Sequence, residues 1–174
     1  MAPIETTQLA VPSGARRGKS FEAGGFGVIF KICGEETNGL LSVVEHPIEP
    51  GILIPPHIHE VEDEYSYVLE GEIGARIGDQ VLRAPVGTYV LKPRNVWHTF
   101  WNAGPQRARI LEMISPAGFE KFFEELGELF RSGEATPARR EALAAKYHHR
   151  FSMDWVEELK GRYNLRLLGE PPSA

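Results

Sequence analysis

Residues 51–71 read GILIPPHIHEVEDEYSYVLEG and place His57 two positions before His59, with Glu64 shortly after. Side chains two apart along a strand share a face, so extended backbone through this pair aims both imidazoles the same way. Pro55 and Pro56 cannot both donate to a central ladder, and they suit a strand end just before the pair. The polar link EVED allows a turn that folds Glu64 back beside the histidines, and Gly71 closes the next apolar run at a hairpin. Two imidazoles and one carboxylate converging on one face make a site for a first-row divalent metal, with coordination positions left open. A third imidazole is available downstream. In GTYVLKPRNVWHTFWN, residues 87–102, His98 again falls in a strand-like run.

The elements that must position these residues are mostly strands. From Phe21 to Ser115 the chain is a series of short apolar or alternating runs, among them FGVIFKIC, LLSVVEHPI, YSYVLEGEIGARIGD and RARILEMIS. They are rich in Val, Ile and aromatic residues and are cut by turn signals such as Asn38-Gly39, Pro50-Gly51 and Gly78-Asp79. Many short strands in series predict an all-β sandwich or barrel over residues 21–115. The period then changes. Phe119, Phe122, Phe123, Leu126 and Phe130 form one helical stripe, expected to dock on the barrel or on a partner subunit, with Ser115 as cap and Pro116 in the first turn. A second helix is expected from Thr136-Pro137 through ARREALAAKYHHR, and a third in SMDWVEELKG, capped by Ser152 and stopped near Gly161. Residues 116–174 thus read as a C-terminal helical extension packed on the barrel. Residues 1–20 read as an extended arm. Its SGARRGKS run lacks the first glycine of a phosphate loop and reads as a solvated basic turn.

The 174 residues are 42% hydrophobic and 25% charged, ordinary for one globular domain, and the net charge of −5 gives no basic surface for nucleic acid or membrane. The single cysteine, Cys33, excludes an internal disulfide and reads as a small apolar residue. No apolar run reaches membrane-spanning length and no signal-peptide pattern opens the chain, so the expected location is cytoplasmic. His46, before Pro47, and the pair His148-His149, near a helix end, read as solvated.

Residues 51–71 fit G-x5-H-x-H-x4-E-x6-G, which resembles the first sequence motif of the cupin superfamily at every defined position. Residues 87–102 fit G-x5-P-x-N-x2-H-x3-N, which resembles the second motif with one departure: Asn95 stands where the family usually has glycine. Asn tolerates a left-handed turn well, so the backbone is expected to survive the change. The resemblance implies an all-β fold, a double-stranded β-helix or cupin jelly-roll barrel, with the C-terminal α-helical extension beside it. It also implies one divalent transition metal per chain (Fe, Mn, Ni, Co, Cu or Zn), held by His57, His59, Glu64 and His98. The stretch after the second motif is similar to small single-barrel cupins of the quercetin 2,3-dioxygenase-like kind, which are often homodimers.

Three nitrogens and one carboxylate leave one or two places free on a six-coordinate ion. A substrate oxygen bound there is polarised, and Glu64 is the ligand able to accept its proton. The first functional expectation is therefore a dioxygenase that takes O2 and a small phenolic or enol-type substrate, with Glu64 catalytic. The second is a non-oxidative isomerase, decarboxylase or hydrolase using the same Lewis acid. The third is a non-catalytic small-molecule-binding cupin. By strand parity Phe100 shares the face of His98, and Ser66 and Val68 share that of Glu64, so these three are the expected pocket walls. Tyr65, Tyr67, Trp97 and Trp101 fall on the opposite face. The inward parity of residues 107–115, and with it the place of Glu112, stays open. The inward positions so assigned offer few charged groups, which weighs against a sugar-phosphate substrate.

Overall fold

The computed structural model describes residue 11 and residues 20–171, so the expected N-terminal arm, with its basic turn, lies outside the described residues apart from Val11 and Ser20. The chain runs through β1 (Phe21–Ala23), β2 (Phe26–Ile32), β3 (Ser42–Ile48), β4 (Ile52–Leu53), β5 (His57–His59) and β6 (Asp63–Glu70). It continues through β7 (Glu72–Ile77), β8 (Gln80–Pro85), β9 (Tyr89–Lys92), β10 (His98–Trp101) and β11 (Ala108–Ser115). Then come α1 (Glu120–Arg131), α2 (Pro137–Lys146), β12 (His149–Phe151), α3 (Val156–Tyr163) and β13 (Arg166–Leu167). One sheet orders β1-β2-β3-β11-β6-β9, and the other β12-β5-β10-β4-β13, with β7 on β10 and β8 on β7. Neighbours distant in sequence, β3 beside β11 and β5 beside β10, give the expected jelly-roll arrangement.

The two sheets meet over one apolar core. Ile48, Val68 and Ile110 from the first sheet pack with Ile52, Ile73 and Phe100 from the second, all buried. Burying each such side chain is worth about 1.5–3 kcal/mol. The parity of β11 is resolved by burial: Ala108, Ile110, Glu112 and Ile114 face inward. Turn chemistry at the motif ends matches the expectation. Gly71 has φ 69° and lies against the Ala108 backbone, where a Cβ would come within 3.0 Å. Asn95 has φ 60°, the left-handed conformation anticipated for it, and its N–H donates to the His59 carbonyl at 2.7 Å.

The first part of the helical stripe docks: Phe119, Phe122 and Phe123 are buried with Phe21, Phe30, Val44 and Ile114 and Leu126 is partly buried, whereas Phe130 is 40% exposed. Gly127 lets α1 approach: a Cβ there would stand 2.7 Å from the Phe21 ring. The helix ends differ from expectation. Ser115 stays in β11, paired with Asp63, and its hydroxyl donates to the Leu40 carbonyl, so strand pairing outcompetes capping and α1 starts only at Glu120. Thr136 caps α2 as expected, accepting from the Arg139 N–H at 3.3 Å. That helix stops at Lys146, however, and the last residues expected to be helical pair with β5 as strand β12 instead. The third helix starts at Val156 rather than near Ser152 and ends on Asn164, which is left-handed at φ 53°. Trp101 is buried against this end of the molecule, with Tyr163 at 4.9 Å, and Gly74 across the ladder has no side chain to obstruct its indole. Among the described residues no helix is long and apolar enough to cross a membrane.

Candidate metal centre

Both sheets contribute to the site. β5 supplies His57 and His59, and β10, whose His98 lies directly across from His57, supplies the third imidazole. Glu64 comes from β6 in the opposite sheet. All four residues are buried, and one ligand atom from each lies within 4.8 Å of the others. His59 Nε2 stands 3.4 Å from Glu64 Oε1, and His98 Nε2 stands 3.2 Å from Glu64 Oε2. The outer nitrogens are fixed by backbone: His57 Nδ1 donates to the Pro55 carbonyl at 2.7 Å and His98 Nδ1 to the Val96 carbonyl at 3.0 Å. That choice of tautomer leaves the two inner Nε2 atoms bare, as cation binding requires. His59 Nδ1 sits 3.6 Å from Glu62 Oε2, beyond hydrogen-bond reach, and both atoms are buried without a partner. A donor set of three imidazoles and one ionised carboxylate, braced from behind, fits a divalent transition metal.

The protonation states agree with that fit. Burial pushes the His57 and His98 imidazoles below their usual range, so they stay neutral and available as donors. Burial alone would raise the Glu64 carboxyl, but the Lys92 ammonium at 2.9 Å, joined by His59 and His98, holds it well below the usual carboxylate range.

Lys92 and Glu112 were not placed from sequence, and they extend the site. Lys92 lies across from Glu64 on β9, is fully buried, and bridges Glu64 to Glu112, whose Oε2 it meets at 2.6 Å. Ser66 donates to both Glu112 oxygens, at 3.1 and 3.0 Å. Burial drives the Glu112 carboxyl up to about 7 despite the adjacent ammonium. The expectation that the interior carries few charged groups is therefore corrected. A signal existed for Lys92: it alternates with buried Val90 along YVLK and so must share its face.

Three of the four residues, His57, His59 and Glu64, line a cavity of about 800 Å³, reached also by Glu112 and Phe100 and walled by phenylalanines of the C-terminal extension. Of the three expected wall residues, Phe100 lines this cavity. Ser66 and Val68 do not line it: Ser66 is occupied by Glu112, and Val68 is packed in the apolar core. Two histidines read as solvated are buried. His46 lies inside β3, its Nδ1 donating to the Gly27 carbonyl at 2.9 Å and its ring stacked on Phe26 at 4.6 Å. His149 lies on β12, with its ring 4.6 Å from that of His59. Neither burial has a local sequence signal, because each depends on a strand contributed from elsewhere in the chain. On the outer face Tyr67 packs on Tyr89 at 4.6 Å, and Tyr65 remains 39% exposed. Cys33 lies apart from the site, its thiol pushed up to about 11 by burial and nearby Glu36, as suits an unreactive cysteine.

Residues 45–114 match the family model described as a cupin domain. The chain is 30% identical over 80 residues to the tetracenomycin polyketide synthase protein TcmJ of Streptomyces glaucescens, covering 46% of this chain and 52% of that protein. It is 28% identical over 109 residues to the quercetin 2,3-dioxygenase of Bacillus subtilis strain 168, covering 63% of this chain and 32% of the dioxygenase. It thus spans about half of the first relative and a third of the second. Among solved structures, KdgF from Halomonas sp. superposes with a TM-score of 0.53 at 18% identity, over 59% of this chain and 91% of KdgF. That likeness is one of fold.

Proposed function

With residues 45–114 forming a cupin domain as the premise, we propose that the protein is a metal-dependent dioxygenase acting on a small phenolic or enol-type substrate. The observation that carries this reading is the buried His57, His59, Glu64 and His98 cluster, three of whose members line a largely apolar, phenylalanine-walled cavity of about 800 Å³. The partial likeness to a quercetin 2,3-dioxygenase supports it. A bound divalent ion would act as a Lewis acid on a substrate oxygen and, for a redox-active metal, as the route to O2.

The protein's own residues do the rest. His57, His59, Glu64 and His98 would hold the ion, and Glu64 would accept the proton of an incoming hydroxyl. Lys92 keeps Glu64 ionised beforehand, so the base is ready when substrate arrives. Phe100 and Phe119 bound the space available to the aromatic body and exclude water.

Lys92 and Glu112 also favour a second reading, a non-oxidative isomerase, decarboxylase or hydrolase, because an internal acid–base pair needs no oxygen. Metal-loaded protein offered quercetin and simpler catechols in an oxygen electrode decides between them. Oxygen uptake with both atoms appearing in product supports the dioxygenase, whereas turnover unchanged under argon would replace it with the second reading. We further propose a homodimer, seated on the edge strand β9, where Tyr89 and Leu91 are exposed beside Tyr65. Sedimentation of Leu91→Lys against the unaltered protein tests that contact.

A further inference from the structure

Five imidazoles lie in or beside the cavity, and four of them have an identified polar neighbour. His46 meets the Gly27 carbonyl, His57 that of Pro55, His98 that of Val96, and His59 faces the Glu64 carboxylate. His149 is the exception among the described residues. It is 4% exposed, and both its ring nitrogens are buried with no hydrogen-bond partner. An imidazole in that state has exchanged water for nothing, which is unfavourable unless a ligand completes it.

Its placement says where the ligand would sit. β12 pairs with β5 in the register His149 to His59, and residues directly opposite on neighbouring strands share a face. His149 therefore lies on the cavity face, and it lines the same cavity as His57, His59 and Glu64. It is outside the group whose donor atoms converge within 4.8 Å, so it is a neighbour of the centre rather than a member. Its other neighbours are phenyl rings: Phe151 at 4.5 Å, Phe119 at 5.1 Å and Phe122 at 5.3 Å. Contacts of N–H with an aromatic face are too weak to replace a hydrogen bond.

We propose that His149 is a substrate-binding residue, contributed by the C-terminal extension, which hydrogen-bonds a hydroxyl or carbonyl oxygen of an aromatic ligand held at the four-residue centre. An imidazole can accept at one nitrogen and donate from the other, so it serves a phenol or the corresponding ketone. The surrounding rings take the flat apolar body of the same molecule. This deepens the function proposed above and rests on it only for the ligand being phenolic.

The test is calorimetric titration with 4-nitrocatechol of cobalt-loaded and metal-free protein, for the unaltered chain and for His149→Phe and His149→Leu, with metal content measured on each. Two variants are used because either could fail to fold. The expected result is full cobalt content and roughly fivefold to tenfold weaker catechol binding in the folded variants, the worth of one hydrogen bond. Unchanged affinity would overturn the proposal, and so would loss of cobalt, which would make His149 a metal ligand or its support. Failure of the cobalt-loaded unaltered protein to bind the catechol would also overturn it. An absence of oxygen uptake, with the binding defect of the variants intact, would instead overturn the dioxygenase reading and leave His149 in place.

Discussion

On the strand side of the cavity, nearly every polar atom is engaged. His57 and His98 are pinned to carbonyls, Glu64 to Lys92, and Glu112 to both Lys92 and Ser66. On the helix side, Phe119, Phe122 and Phe123 offer only apolar surface, and the buried histidine among them, His149, has no partner. The first surface is organised before anything binds, by hydrogen bonds within the jelly roll. The second is organised mainly by packing and leaves His149 to be completed. The contrast teaches a division of labour: the strands fix the reacting centre, and the extension shapes what can approach it.

The most severe way to break the strand side is to remove a donor. His57→Ala and His98→Ala should each lose the bound metal while circular dichroism shows the jelly roll intact, and full metal content in both would refute the donor set. Lys92→Met comes next. It leaves two buried carboxylates without their cation and should cost about 3–5 kcal/mol in urea unfolding of metal-free protein. Metal loading should restore part of that loss, because the ion gives Glu64 a new counter-charge. Phe122→Ala tests the helix side, with an expected cost of about 3 kcal/mol, the low end for a buried phenylalanine because it borders open space. Its metal content should stay full, and a parallel loss of metal would dissolve the distinction between the two sides.

The smallest expected effect is one of pH. Burial, opposed in part by the hydrogen bond to Gly27, lowers the His46 imidazole to about 4. The unfolded chain therefore takes up a proton from about pH 6.5 downward while the folded chain does not. Stability from this residue is complete above pH 6.5 and should fall by about 2 kcal/mol by pH 5. A His46→Gln variant should show a shallower loss between pH 7 and pH 5 in metal-free unfolding curves. An unchanged slope would mean that other groups set the acid limb.

Two kinds of information were separable in this chain. Alternation along His57–His59, the glycines at 51, 71 and 87, and the Asn95 turn are local constraints on backbone direction that could be read directly, while the meeting of Glu64 and His98 with that pair was implied by the likeness to the cupin motifs. The Thr136 cap and the buried part of the α1 stripe, Phe119, Phe122 and Phe123, were also legible, both being short-range patterns. Only the tertiary structure decided that Glu112 points inward, because apolar residues alternate on both faces of RARILEMIS and local pattern favours neither. The same holds for His149, whose segment continues a helical pattern until pairing with β5, some ninety residues earlier in the chain, draws it into a strand. Burial of a polar side chain depends on which distant element covers it, and distant coverage leaves no periodic trace in the residues that are covered.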